Sequence, residues 1–352
     1  MTPALEVAHL SKTFATRRGP FGLLGRSVVH AVDDVSFSVE AARTLALVGE
    51  SGCGKTTIGR MVVRLTTPSA GCITVEGQDF TRLKGEALRR KRQRVQMVFQ
   101  DPFACLNARM TGEAIVAEPL VNFGLGDAAA RRRRVCRLFE QVGLPQTFLD
   151  RLPHHMSGGQ RQRLGIARAL AAEPAVIVAD EAVAALDVSI RSQILNLLDD
   201  LQRETGVAYL FISHDLSVVR YLADEIAVMY LGRIVEKGPV RSVFAAPAHP
   251  YTRALIGAIP ASHPRERRRR ALLDGEVPSA AALPVGCRFR TRCPLATDIC
   301  SREAPPVVTV GHGHAAACHH IEPALPTAAK EQSATPRSNG HADDTITGGT
   351  TT

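Results

Sequence analysis

Nine consecutive residues carry the most pointed chemistry in this chain: Gly49-Glu50-Ser51-Gly52-Cys53-Gly54-Lys55-Thr56-Thr57. Glycine, four residues, then Gly-Lys-Thr is the P-loop pattern. Its glycines let successive backbone N–H groups curl around phosphate oxygens with no Cβ in the way. The helix that follows adds its positive dipole end, Lys55 a point charge, and Thr56 a hydroxyl for Mg2+. A second piece is Val176-Ile177-Val178-Ala179-Asp180-Glu181. An apolar strand ending in two acids delivers both carboxylates to the carboxyl edge of a sheet, beside the phosphate loop. There Asp180 would bind Mg2+ through water, and Glu181 would polarise an attacking water. The third piece is Ser157-Gly158-Gly159-Gln160, preceded by Met156. Ser157 is a natural N-cap and the glycines permit close approach of an anion, so this is a second phosphate-binding helix terminus. One chain therefore has two phosphate sites but a single P-loop.

Short apolar runs supply the frame. Residues 45–48 read as a buried strand leading into the phosphate loop, and 55–65 as the amphipathic helix leaving it. Val35, Phe37 and Val39 alternate with Ser36 and Ser38, the signature of a half-buried strand, with Leu5, Val7 and Leu10 as its partner. A Gly/Arg/Pro-containing loop, 17–25, lies between them. Further apolar runs at 95–99, 175–179 and 207–212 are separated by helical patterns at 162–171 and 190–202. Residues 226–230 and 233–235 flank Leu231-Gly232 as a hairpin. Strands alternating with helices predict an α/β core with a mixed, mostly parallel sheet and antiparallel N-terminal strands. Between Gln100 and Ser157 the spacing is helical with no obvious strand, predicting an inserted helical subdomain over about 101–160. The expected organisation is an ATP-binding unit at 4–260, a small cysteine-containing extension at 261–321, and a disordered tail at 322–352, where the Ala/Thr/Ser/Gly/Pro bias cannot offset the entropy of ordering.

In order and spacing, residues 49–57, Gln100, Ser157, Gly158, Gly159, Gln160, Asp180, Glu181, Asp187 and His214 resemble the nucleotide-binding subunits of ABC transporters over roughly 4–260. The resemblance implies a head-to-tail dimer in which each ATP is held between one subunit's P-loop and the other's Ser-Gly-Gly-Gln, which would account for the second phosphate site. It gives Gln100 the role of sensing Mg2+ and the γ-phosphate while facing the membrane partner. His214 becomes the switch histidine on the γ-phosphate, Asp187 the residue joining the two subunits, and Phe14 the aromatic stacked on adenine. Catalysis would fall to Glu181, His214 and Lys55. Ala182 and Ala184 stand where the family usually has Pro and Ser; neither position supplies a catalytic group.

The run Asp101-Pro102-Phe103-Ala104-Cys105-Leu106-Asn107 and the segment His249-Pro250-Tyr251-Thr252-Arg253-Ala254-Leu255 resemble oligopeptide and dipeptide importers, in the second of their two ATPase subunits. That implies ATP hydrolysis coupled to peptide import, with nickel, glutathione or another small solute as the alternative cargo. The implied partners are a second homologous ATPase subunit or a second copy, two transmembrane permease subunits, and an extracytoplasmic substrate-binding protein. The implied place is the cytoplasmic face of the cell membrane, peripherally.

Four of the eight cysteines fall after the core: Cys287, Cys293, Cys300 and Cys318. Four thiolates in a small segment can hold zinc or a 4Fe–4S cluster. Gaps of five, six and seventeen residues, with no tight Cys pair, favour the cluster, while His312, His314, His319 and His320 keep zinc open and four unligated thiols are the third reading. The segment also resembles the C-terminal cysteine motif of peptide-importer ATPases, some of which bind 4Fe–4S. Bulk properties narrow the rest. The net charge of +9 is concentrated in the arginine runs 131–134 and 265–270, a pattern that suits a solvated face or anionic lipid. Gripping nucleic acid with them would require a non-transport ABC ATPase, whose relatives carry long coiled-coil insertions or two cores; this chain has neither, so no nucleic-acid partner is expected. No apolar run approaches the roughly 18–20 residues of a spanning helix, and residues 1–5 lack the architecture of a secretion signal.

Overall fold

The N-terminal alternation builds strands β1 (Leu5–Arg17) and β2 (Arg26–Val39). They pair antiparallel, with Leu5 opposite Val39 and Val7 opposite Phe37, and all four side chains are buried. The structure, a computed structural model, describes residues 2–17, 26–259, 275–276 and 278–321. The expected loop at 17–25, apart from Arg17, the arginine run at 265–270 and the tail at 322–352 lie outside the described residues.

Strand β3 (Thr44–Val48) is buried throughout and feeds the phosphate loop, which opens helix α1 (Lys55–Val62). Strands β4 (Ala70–Val75) and β5 (Gln78–Asp79) return to complete a four-stranded antiparallel sheet of order β2-β1-β4-β5. Helix α2 (Gly85–Arg92) leads to β6 (Val95–Val98). The stretch after Gln100 is helical, as its spacing predicts: α3 (Pro102–Cys105), α4 (Gly112–Asn122), α5 (Ala128–Gln141) and then α6 (Gly158–Ala171). Strand β7 (Val176–Asp180), helix α7 (Val188–Thr205), strand β8 (Ala208–Ile212) and helix α8 (Leu216–Leu222) follow in alternation. Strands β9 (Glu225–Tyr230) and β10 (Arg233–Pro239) form the expected hairpin. Its turn residues Leu231 and Gly232 have φ of 44° and 84°, the left-handed pair that a two-residue connection between twisted strands demands.

Helices α9 (Val240–Ala245) and α10 (Pro250–Gly257) close the core, and α11 (Asp298–Arg302), β11 (Val307–Gly311) and β12 (His314–Ala317) form the extension. The main sheet has eight strands in the order β11-β12-β10-β9-β3-β8-β7-β6. β9, β3, β8, β7 and β6 are parallel; β10, β12 and β11 are added antiparallel. The extension is therefore joined to the core sheet, with Glu236 opposite Ala316 and Lys237 opposite Ala315.

Period-two alternation divides the apolar residues between two cores. Leu210 and Ile212 of β8 join Leu5, Val35, Ile58 and Met61 on the α1 side. Tyr209 and Phe211 join Phe139, Leu164, Leu198 and Phe289 on the other. The 131–134 arginines sit on α5 and are partly committed: Arg131 Nε donates to Leu125 O (3.0 Å), Arg132 pairs with Glu113, and Arg134 lies 3.4 Å from Glu173. No described helix is long and apolar enough to cross a membrane.

Candidate functional site

The phosphate loop follows β3 at the carboxyl end of the parallel strands. Gly54, the residue before α1, has φ 108°, and a Cβ there would lie 2.2 Å from Ala31 O. Only glycine fits both the left-handed backbone and this approach. Lys55 is buried, and its ammonium donates to Gly49 O (2.7 Å) and Glu50 O (3.0 Å). The cationic arm thus lies along the loop. Cys53, beside it, is buried, and burial pushes its thiol up. Ser51 and Gly52 are exposed at the tip, and Thr57 is half-buried on α1.

At the end of β7 one carboxylate, Asp180, meets this loop, and Glu181 follows it. Thr56 Oγ1 donates to Asp180 Oδ1 at 3.1 Å. Asp180 is buried; burial raises its pKa, and the neighbouring Glu181 pushes in the same direction. A hydroxyl and a carboxylate, both hard oxygen donors, fit Mg2+. Thr56 and Asp180 are the residues that would hold it, and bound there it would neutralise phosphate charge. Glu181 has φ 47°, a left-handed conformation that costs a non-glycine residue about 1–2 kcal/mol. Its N–H donates to Ile212 O (2.9 Å), and its own carbonyl accepts from Ala184 N (3.0 Å). That pinned turn aims the carboxylate: Gln100 Nε2 donates to Glu181 Oε2 (2.8 Å), and His214 Nδ1 lies 3.3 Å from Glu181 Oε1. Glu181, Gln100 and His214 come from the ends of three parallel strands and converge on one point.

Ser157 caps α6 reciprocally with Gln160: Gln160 N donates to Ser157 Oγ (3.3 Å) and Ser157 N to Gln160 Oε1 (2.8 Å). Gly158 is half-buried, and Gly159 is buried against α7. Among the described residues, no hydrogen bond or ion pair joins 157–160 to 49–57. Asp187 is exposed at the start of α7. Phe14 lies on β1 at 40% exposure, with Lys12 Nζ 5.0 Å from its ring centroid.

The family models that match are ABC transporter, over residues 32–184, and oligopeptide/dipeptide transporter, C-terminal region, over 235–300. The dipeptide transport ATP-binding protein DppF of Haemophilus influenzae is 46% identical over 91% of this chain and 98% of its own length. The oligopeptide transport ATP-binding protein AppF of Bacillus subtilis is 48% identical over 90% of this chain and 96% of its own. The chain belongs to the ABC transporter ATP-binding proteins. It is an ATPase of that family, in the oligopeptide/dipeptide group. Among solved structures, the dimeric post-hydrolysis cassette MJ0796 bound to ADP and Pi is 26% identical, with a TM-score of 0.59, and covers 67% of this chain and 99% of that one. The Clostridium perfringens protein cbiO1, part of the transporter complex cbiONQ, is 27% identical at a TM-score of 0.60, covering 70% and 92%.

The cysteine expectation needs correction. Cys287, Cys300 and Cys318 are buried and Cys293 half-buried, and burial pushes the thiols of Cys287, Cys293 and Cys318 up. Two of the nearby histidines have partners away from the thiols, and a third touches one of them. His314 Nε2 contacts Glu236 Oε1 (2.7 Å), His319 Nε2 contacts Glu303 O (3.1 Å), and His320 Nε2 is 3.6 Å from Cys300 Sγ. Among the described residues no group of three or more His, Cys, Asp or Glu is arranged to hold a metal ion. A 4Fe–4S cluster or zinc site is therefore not supported among the described residues. Spacing suggested a ligand set, but the segment is ordered by strand pairing and buried charge pairs instead.

Those pairs are also what the residue patterns missed. Arg292 donates through both Nη atoms to Glu50, at 2.7 and 3.0 Å, and Glu50 N donates to Tyr251 Oη at 2.9 Å. Both partners of the phosphate loop lie far along the chain.

Proposed function

We propose that this chain hydrolyses ATP at a site completed by a second ATP-binding subunit, and that the cycle drives peptide uptake through two membrane permeases. The observation that carries this is the convergence of Lys55, the Thr56–Asp180 pair and the Glu181–Gln100–His214 trio at one sheet edge, while the Ser157–Gln160 cap stands apart on α6. A loop that grips one side of a triphosphate and a capped helix terminus that must serve another molecule's nucleotide are the two halves of a composite site. Within it, Lys55 and the loop N–H groups orient the phosphates, Glu181 aligns the attacking water, and His214 meets the γ-phosphate; positioning and charge neutralisation do most of the work. Asp187 would meet the partner subunit and Phe14 the adenine.

A groove of about 710 Å3 opens beside Gln100, lined in part by Phe99, Ala104, Glu118, Pro119 and Phe123. It lies between the sheet edge and the helical insertion and suits a short helix of a permease, so that motion at Gln100 reaches the membrane. The subunit would sit peripherally on the cytoplasmic face, served by an extracytoplasmic substrate-binding protein, with the ATP-binding unit at 4–260 and the extension at 261–321. Relatives named for dipeptide and oligopeptide transport support peptides as the cargo class. The test is co-reconstitution with the permeases and binding protein in lipid discs, followed by ATP turnover with di- and oligopeptides. Peptide-stimulated turnover is expected; stimulation by nickel or glutathione alone would transfer the cargo assignment to them.

A further inference from the structure

The C-terminal extension is seated against the phosphate loop by a built contact. Phe289 is 1% exposed and fills an aromatic pocket of the core, 5.2 Å from the Tyr230 ring centroid and 5.4 Å from that of Tyr251. A turn bond from Arg292 N to Phe289 O (3.0 Å) brings Arg292 back toward the same surface. There its guanidinium, with the side chain 6% exposed, meets the Glu50 carboxylate in a two-pronged pair. The geometry is the fork that matches a carboxylate best. Arg292 Nε has no hydrogen-bond partner among the described residues, so Glu50 is the main compensation for burying this charge. The Glu50 pair raises the Arg292 pKa further above its ordinary value.

Glu50 is at the same time a structural node of the loop. Its N–H is held by Tyr251 Oη, and its carbonyl accepts from Lys55 Nζ. The extension braces the opposite wall too: Arg288 pairs with Asp33 and donates to Leu231 O, while Asp33 N donates to Gly232 O (2.9 Å). A carboxylate in a loop built for a triphosphate is an electrostatic liability unless a cation answers it. The only guanidinium that the described contacts give Glu50 comes from the extension.

We propose that Arg292 is a positioning residue for ATP: it neutralises Glu50 and fixes the first turn of the phosphate loop, making the extension part of the nucleotide site. This rests on residues 49–57 being that site. The experiment is the ATP dependence of turnover in the full-length chain, with nucleotide binding followed separately by a fluorescent ATP analogue. Arg292→Gln is expected to raise KM for ATP about fivefold or more while kcat stays within about twofold. Adding Glu50→Gln to it removes the unanswered charge and is expected to lower KM by about twofold or more from that of the single variant. That rescue separates electrostatics from a fold defect, which a second substitution would deepen. Should Arg292→Gln fail to fold, Arg292→Lys keeps the charge without the fork and is expected to raise KM by only about threefold. An unchanged KM in the folded variant, or a double variant as impaired as the single one, overturns the proposal. Lys55→Ala is the separate control: normal nucleotide binding there would instead overturn the reading of the loop itself.

Discussion

Glu181 accepts a hydrogen bond from Gln100 and sits beside His214 while its own backbone is held in a left-handed turn. A carboxylate constrained so fully suits the alignment of water. Glu181→Gln keeps the shape and removes the charge, so turnover is expected to fall by at least about 100-fold. Mg-ATP binding should persist and a dimer should accumulate, read by phosphate release and by elution volume with nucleotide. Turnover within a few-fold of wild type would remove Glu181 from the mechanism. His249 makes a different residue-scale case. Its Nδ1 accepts from Tyr251 N at the start of α10, and burial, helped by Arg253, lowers its pKa to about 4. The unfolded chain binds this proton near pH 6.5 and the folded chain does not. Its stabilising contribution is therefore complete above pH 6.5 and is lost as pH falls toward 4, by about 3 kcal/mol in all. His249→Asn keeps a capping oxygen without titrating, so its urea midpoint should fall less than that of wild type between pH 6.5 and 4. Parallel curves would refute the assignment.

At the level of elements, the packing of α6 on α7 decides where the Ser157 cap points. A Cβ on Gly159 would come 2.6 Å from Ile190 Cγ2, and the β-branched isoleucine has little freedom to retreat. Gly159→Ala should cost about 1–3 kcal/mol by overpacking. Gly165, on the same helix with nothing within 4 Å of its Cβ position, should tolerate alanine or gain about 0.5–1 kcal/mol. Thermal unfolding of both variants tests the pair; equal effects would mean that the α6–α7 contact is soft. The elements are the most legible part of this sequence. Strands β3, β7 and β8 are short, wholly buried apolar runs bounded by glycine or acids, and the local pattern alone marks them. The phosphate loop was readable for the same reason, since its chemistry is contiguous. β11 and β12 were not marked, because Val-Val-Thr-Val-Gly and His-Ala-Ala-Ala carry no apolar/polar alternation, even though β12 alternates in burial. The Arg292–Glu50 pair joins residues 242 positions apart, and nothing local in either segment announces the other.

For the molecule as a whole, the extension is a structural third wall. Glu236 is fully buried, yet its carboxylate accepts from Ala248 N (2.7 Å), His249 N (2.9 Å) and meets His314 (2.7 Å). This knot ties β10, α10 and β12 together across the boundary where the sequence suggested a separate unit. His314→Ala deletes one partner of a buried carboxylate and should destabilise the protein by about 1–3 kcal/mol. Urea unfolding should show the loss as one cooperative transition shared with the core. A separate early transition confined to the extension would mean that the two are not one folding unit.

The β12-to-β3 ladder has a practical corollary. Three strand spacings, or about 14 Å, separate the last described strand from the one carrying the phosphate loop. A dye on the exposed β11–β12 turn, at His312 for instance, would ride on rigid fabric at nearly fixed distance from the triphosphate. Energy transfer to a labelled nucleotide would then report ATP arrival and departure in the working transporter without touching a catalytic side chain.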